Sequence, residues 1–306
     1  MSQPWVAIQR NPKSGAGSQR RALIELMREL QRQGLSPRVF TDRAQLRRWV
    51  EDPAKREALI CIVAAGGDGT AADVMNRYPG VPVALLPTGT ENLLSKFLGI
   101  PRSGKRVGAM IASGSRRVLD LCEIGTRKFA IMASAGFDAD VIHRSHSARQ
   151  GHITRLAYCQ HIWQSLRHYS HPQIRVFLDD DPTPRTARLA VIVNLPVYAL
   201  GLPVARSARG DDGLLDIRLF ENGSFWSMVR YFVSLALGMH EGLSDVTSVR
   251  ARHVRLESDV PVPIQIDGDP AGTTPANIRV LPGSLEIFAP PVASQVMTSS
   301  IPSRSS

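Results

Sequence analysis

Apolar positions in the first third of the chain follow two alternating rhythms. The short unbroken runs "WVAIQRN", "PRVFT", "LICIVAA" and "VPVALLP" predict strands buried on both faces. Between them, "SQRRALIELMRELQRQG" has apolar residues at helical spacing, with Ser18 as cap and Gly34 as stop. Thr41 through Glu57 predicts a second helix, and "TAADVMNRY" a short third. Such alternation predicts an open α/β unit with a parallel sheet over residues 1–117. After Arg117 the runs become short, alternating and separated by turn residues: "RVLDLCEIG", "RKFAIMASAG", "QIRVFLD", "ARLAVIVNL", "LLDIRLF", "ARHVRLES", "VPIQID", "NIRVLP" and "SLEIFAP". They predict a mainly antiparallel β unit over 118–290, interrupted by helices at about 145–169 and 224–240. Asp179–Asp181 before Pro182 predicts a hairpin turn. Residues 291–306 are Ser-rich, with little to bury, and predict a disordered tail.

Composition narrows the class. The chain has 306 residues, 43% hydrophobic and 21% charged, as a soluble globular protein does. Cys61, Cys122 and Cys159 are its three cysteines, far apart and without metal-ligand spacing, which predicts reduced thiols in a cytoplasmic protein. No apolar run reaches the roughly 18 residues of a spanning helix, and the start lacks the apolar core of a signal peptide. A net charge of +10 predicts attraction to polyanions. Aromatics are only 6% and no nucleic-acid-binding signature is present, so nucleotide or anionic lipid is expected rather than nucleic acid.

Three turns carry the candidate chemistry: "NPKSGAG" (Asn11–Gly17) after the first strand, "GGDGT" (Gly66–Thr70) after the third, and "PTGTEN" (Pro87–Asn92) after the fourth. In an open parallel sheet, ligands sit beyond the carboxyl ends of the strands. Three turns of small residues there offer backbone N–H groups to the phosphates of a nucleotide. Neither the P-loop pattern nor GxGxxG is present.

In this order, "NPKSG", "GGDGT", "PTGTEN", "DDGLLD" (Asp211–Asp216) and "IDGD" (Ile266–Asp269) resemble the diacylglycerol kinase catalytic-domain family, which includes bacterial lipid kinases and sphingosine kinases. The resemblance runs from about Trp5 to Phe288. It implies an NAD kinase- or phosphofructokinase-like α/β domain, a β-sandwich-like domain, and phosphate transfer from ATP to a lipid hydroxyl at the cleft between them. It places ATP on Asn11, Pro12, Lys13, Ser14, Gly15, Thr41, Gly66, Gly67, Asp68, Gly69, Thr70, Ala71, Ala72, Thr90 and Asn92. It gives Asp68 the support of nucleotide and magnesium, and Asp269 the role of general base. A structural magnesium falls on Asp212, with Arg209 and Leu214 as backbone ligands. The chemistry agrees, since phosphoryl transfer needs positioned phosphates, charge neutralisation and a carboxylate for the acceptor's proton.

Three positions depart from the family pattern: Asp73 and Asp269 stand where Glu is common, and Leu93 where Asp is common. They leave room for two rival readings, an NAD kinase-like enzyme and a catalytically silent nucleotide- or lipid-binding protein. Six of the eight histidines fall between His143 and His171, among Arg144, Arg149, Arg155 and Arg167. This cationic stretch predicts a solvated helical face able to meet anionic headgroups, hence a peripheral location at the membrane. "FWSMVRYFVSLALGM" (Phe225–Met239) reads by default as core, with a membrane-resting face as the alternative. The acceptor lipid is unspecified, and a homodimer is left open.

Overall fold

The structure is a computed structural model that describes residues 3–10, 18–147, 169–197 and 204–291. The elements run β1 (Trp5–Arg10), α1 (Ser18–Arg32), β2 (Ser36–Phe40), α2 (Arg43–Glu51), α3 (Pro53–Glu57), β3 (Leu59–Gly66), α4 (Asp68–Arg77), β4 (Val83–Pro87), α5 (Leu93–Phe97) and α6 (Gly104–Ser113). Then come β5 (Arg116–Ile124), β6 (Arg127–Phe129), β7 (Met132–Gly136), α7 (Phe137–Ser147), β8 (Ile174–Leu178), β9 (Arg185–Ala187), β10 (Leu189–Val193) and β11 (Leu215–Phe220). The last are α8 (Phe225–Ala236), β12 (Val246–Ala251), β13 (His253–Glu257), β14 (Pro263–Ile266), β15 (Asp269–Thr273) and β16 (Ala276–Phe288).

Strands β2, β1, β3 and β4 lie side by side in that order, all parallel, as their apolar runs predict. The sheet continues through β16, β13, β8 and β9, with β5 on β16 and β6 on β5, to ten strands. A second sheet of six strands, ordered β12-β11-β10-β7-β14-β15, is antiparallel throughout. One apolar cluster fills the space between the parallel strands and their helices, where Ile8, Leu26, Leu46, Ile62, Leu86 and Val107 are inaccessible. A second lies between the two sheets: Phe129, Ile174 and Val254 from one face Ala133, Ile192, Ile217 and Ile264 from the other. These are the parallel α/β and antiparallel β parts that the patterning predicts, in the sandwich-like arrangement that the resemblance implies.

Local chemistry explains the departures. The helix expected from Thr41 to Glu57 is two, because Asp52 ends α2 and accepts N–H bonds from Ala54 (3.1 Å) and Lys55 (3.3 Å) while Pro53 opens α3. Helix α4 begins at Asp68, two residues before the expected Thr70. "RKFAIMASAG" is not one strand: β6 belongs to the first sheet and β7 to the second. Conversely, "NIRVLP" and "SLEIFAP" join as the 13-residue β16, with a register shift between Leu281 and Leu285. Asp179, at φ 49°, makes the predicted turn after β8, where the Asp181 N–H donates to the Leu178 carbonyl at 3.0 Å. α7 starts earlier than the helix expected at 145–169, most of which lies outside the described residues, as do the Asn11–Gly17 turn and the tail. No helix of the described residues is long and apolar enough to cross a membrane.

Candidate functional site

Because β1 to β4 are parallel, their carboxyl ends share one edge: Gln9 pairs with Phe40, Arg10 with Ala65, and Gly66 with Pro87. Thr41, Gly66 to Ala72, Thr90 and Asn92 therefore follow strand ends on that edge. Asn11, Pro12, Lys13, Ser14 and Gly15 continue from β1 but lie outside the described residues. Asp73, one turn into α4, ties the edge together. It accepts from Gln9 Nε2 (2.5 Å), Arg43 Nε (2.9 Å) and Arg77 Nε (2.7 Å).

The glycines divide into two kinds. A Cβ on Gly66 would lie 2.1 Å from Thr70 Oγ1, and one on Gly89 would lie 2.5 Å from the Gly67 Cα. Thr88 N–H donates to the Gly66 carbonyl at 3.0 Å, so the second and third turns interlock backbone to backbone. Asn92, left-handed at φ 52°, closes its own turn by accepting from Gly89 N–H (3.0 Å) and donating to the Gly89 carbonyl (2.7 Å). Gly66, Gly67 and Gly89 are thus demanded by packing of the chain against itself. Only at Gly69, on the first turn of α4, does a Cβ meet open space among these four. Gly69 alone of the four leaves its side open.

Asp68 begins α4 and points at the start of α5. Its Oδ2 accepts from Leu93 N–H at 3.0 Å and its Oδ1 from Leu94 N–H at 3.2 Å. One carboxylate satisfies two of the unpaired donors that every helix start leaves. A carboxylate at position 93, common in the family, is replaced here by Leu93, whose side chain faces a cavity instead.

That cavity, about 240 Å³, is where distant parts of the chain meet. Its lining includes the acidic residues Asp68, Glu91, Asp138 and Asp267, and its wall is mainly apolar, with Leu93, Ile131, Met132, Ile142 and Val197. Asp267 is left-handed, at φ 47°, in the turn between β14 and β15. Its carboxylate is enclosed, accepting N–H bonds from Ala130 (2.9 Å), Ile131 (3.0 Å) and Met132 (2.9 Å). These bonds hold the segment where the chain leaves β6 for β7, which explains the interrupted strand. Burial pushes Asp267 up to about 6; the three N–H groups oppose the rise and the Asp68 charge adds to it.

Asp138 and Gln265 brace the same turn. Asp138 Oδ2 accepts from Ser134 Oγ (2.6 Å) and Gln265 Nε2 (3.2 Å), while Gln265 Oε1 accepts from Gly268 N–H (2.9 Å). The sequence reading overlooked Asp138; its signal was an acid two residues after the Gly136 that ends an apolar strand. Asp269, the expected base, opens β15 in register with Ile266. It follows Gly268, which lines the cavity, and is itself not among the lining residues.

The Asp212 turn lies elsewhere, beside a cavity of about 510 Å³. Asp212 Oδ1 accepts from Leu214 N–H at 3.2 Å, and its Oδ2 is paired with the Arg250 guanidinium, whose Nε is 3.3 Å from the buried Asp216. Arg209 pairs with Asp211 at 3.2 Å. Asp120 fastens the turn from below, accepting from Gly213 and Gly283 N–H at 2.7 Å each. Among the described residues no three metal-ligating side chains cluster here or elsewhere. Magnesium on Asp212, with backbone oxygens of Arg209 and Leu214, would have to displace the Arg250 guanidinium from that carboxylate.

Two family models match the chain, "Diacylglycerol kinase catalytic domain" over residues 6–124 and "YegS C-terminal NAD kinase beta sandwich-like domain" over residues 131–289. The chain belongs to the diacylglycerol kinase catalytic-domain family. This family member is similar to the diacylglycerol kinase of Mycobacterium tuberculosis (strain ATCC 25618 / H37Rv), 27% identical over 290 residues that span 92% of this chain and 93% of that one. It is also similar to the diacylglycerol kinase of Staphylococcus aureus (strain MRSA252), 23% identical over 92% of this chain and 90% of that one. A solved diacylglycerol kinase structure from Bacillus anthracis str. Sterne shares the fold, with TM-score 0.69 at 17% identity over 95% and 98% of the two chains. Yeast NADH kinase complexed with NADH shares it more loosely, with TM-score 0.51 at 12% identity over 95% and 84%. At family level, then, the diacylglycerol kinase relative described here is a lipid kinase.

Proposed function

We propose that the protein transfers the γ-phosphate of ATP to the hydroxyl of a lipid, with that hydroxyl in the cavity between Asp68 and Asp267. The observation that carries this reading is the cavity itself, about 240 Å³ with a mainly apolar wall that also includes the acidic residues Asp68, Glu91, Asp138 and Asp267. An alcohol on an apolar tail matches both kinds of wall. NAD has no aliphatic tail to lie along the apolar wall. ATP takes the carboxyl edge of the parallel strands, on Asn11–Gly15, Thr41, Gly66–Ala72, Thr90 and Asn92, with its phosphates toward the open side of Gly69.

Among the described residues no cluster of acids is preformed for a cation, so magnesium would arrive together with ATP. Asp68 would support it, and the ion would neutralise phosphate charge. Asp269, next in the chain to the cavity-lining Gly268, is the candidate that takes the proton of the acceptor hydroxyl, a role that the family resemblance supports. The acceptor oxygen bonds to the γ-phosphorus, the bond to the β–γ bridging oxygen breaks, and ADP carries away the electron pair. Asp267 holds the Asp-Gly turn in place and is a positioning residue. The protein works at the membrane surface where such acceptors reside.

The test is incubation with γ-labelled ATP and a total lipid extract, with NAD as a parallel acceptor. Label on a hydroxyl-bearing lipid is the expected result. Label on NAD, or release of phosphate to water alone, would overturn the proposal.

A further inference from the structure

Nine large hydrophobic side chains are exposed among the described residues, and five of them lie between positions 226 and 239: Trp226, Phe232, Val233, Leu237 and Met239. Trp226 is 76% exposed, and Leu237 and Met239 are 66% exposed. The helix that carries most of them is firmly held. Ser224 caps α8 by accepting from Ser227 N–H at 3.1 Å, and the helix buries Met228, Tyr231 and Ser234. Tyr231 packs on Phe220 with ring centroids 4.9 Å apart and donates to Asp245 at 2.6 Å. Trp226, Arg230, Val233 and Leu237 recur at spacing i, i+4, i+7, i+11, a single stripe on the side away from Met228 and Tyr231. The core expected of this stretch accounts for one side of it alone.

Charge selects what covers the other side. α8 has no acidic residue; its one charged side chain is Arg230, which lies on the stripe and pairs with Asp245. At the far end the Arg206 guanidinium sits against Gly238, where a Cβ would come within 2.3 Å of it. With a net charge of +10, a second copy of the chain is repelled and an anionic bilayer attracted. An apolar stripe with a tryptophan, on a helix lacking acids, is the pattern of helices that lie in a membrane interface. The buried side of α8 reaches toward the site. Met228, Tyr231 and Leu235 of α8 belong to the same apolar cluster as Ile131, Met132 and Val197 of the cavity wall.

We infer that α8 and the segment after it form a membrane-docking surface, which lays Trp226, Phe232, Val233, Leu237 and Met239 into the interface of an anionic lipid bilayer. The choice of lipid as occupant rests on the lipid-kinase reading, and the docking itself is measurable without catalysis.

The experiment is flotation of the full chain with vesicles of equal phosphatidylglycerol and phosphatidylcholine, beside phosphatidylcholine vesicles. The comparison is with the double variant Trp226→Ser, Leu237→Ser. The wild type is expected to float with the anionic vesicles and the variant to bind them about tenfold or more weakly, with an unchanged melting temperature. The emission assigned to Trp226, read as the difference from Trp226→Phe, is expected to shift to the blue on anionic vesicles. Both proteins are expected to phosphorylate a monomeric short-chain diacylglycerol at equal rates. Equal vesicle binding by wild type and variant, or no blue shift, would overturn the inference. So would a wild-type dimer that the variant turns into a monomer, since the stripe would then face another copy. If no lipid is phosphorylated but vesicle binding is lost in the variant, the kinase reading fails and the docking surface stands.

Discussion

Asp68 and Asp267 line one cavity from distant parts of the chain, and the charge of the first adds to the burial that raises the pKa of the second. Each is also a fastener. Asp68 ties α4 to the backbone of Leu93 and Leu94, and Asp267 ties the β14–β15 turn to the backbone of residues 130–132. Substitutions at the site are therefore felt in the framework, and stability must be measured beside turnover.

Asp267 gives the protein a pH signature. Its value is raised from 3.8 to about 6 in the folded chain, so the unfolded chain ionises first as pH rises. The stability from this group is complete below about pH 4, is lost between about pH 4 and 6, and stays flat above. The loss is up to roughly 3 kcal/mol. Urea unfolding from pH 4.5 to 7 in chelator is expected to show this fall, and Asp267→Asn to flatten it. An identical slope in the variant would assign the fall to other groups.

The two kinds of glycine separate packing from ligand binding. Gly89→Ala forces a Cβ to 2.5 Å from Gly67 Cα and is expected to lower the melting temperature. Gly69→Ala meets open space in a helix, where alanine is favoured by roughly 0.5–1 kcal/mol, so stability should hold or rise. Its KM for ATP should nevertheless increase. Unchanged ATP affinity in Gly69→Ala would remove the phosphates from this side of α4.

Base and positioner are distinguished by paired variants. Asp269→Asn is expected to lower kcat by about a hundredfold or more with little change in KM for ATP. Asp269→Glu should retain measurable activity. Asp267→Asn gives up the N–H bond from Ala130 and should lower both kcat and melting temperature. Full turnover in Asp269→Asn together with an inactive, stably folded Asp267→Asn would make Asp267 the base.

Arg250 predicts a metal-independent turn. Chelator is expected to leave the melting temperature of the nucleotide-free protein unchanged. Arg250→Met, which leaves Asp212 and the buried Asp216 short of positive charge, should lower stability by about 1–3 kcal/mol. A melting temperature that drops in chelator and returns with magnesium would contradict this.

What the sequence showed and what it hid follow from distance. β1, β3 and β4 were legible because strands buried on both faces are apolar at every position, and the turns after β3 and β4 by their glycines and aspartate. The break between α2 and α3 was legible too, in Asp52-Pro53, and was overlooked in favour of a continuous helical rhythm. The break between β6 and β7 had no local sign. Its cause is a carboxylate at position 267, beyond the reach of any window of neighbours. Asp138 stayed hidden for the same reason, since its importance lies in a hydrogen bond to Gln265. Nor does a helical rhythm tell which side of α8 has a neighbour.

The placement of β16 fixes an order of assembly. Residues 276–288 pair with β5, β13 and, at Ile287, with β4 of the parallel strands. During synthesis β4 and β5 emerge long before that partner, with one edge of each exposing unpaired backbone groups. A nascent chain cut anywhere before residue 276 carries both open edges, and the ten-stranded sheet is not complete until nearly all of the described chain has been made. Premature termination near the end would therefore leave the edges of β4 and β5 open, far from the lesion in sequence.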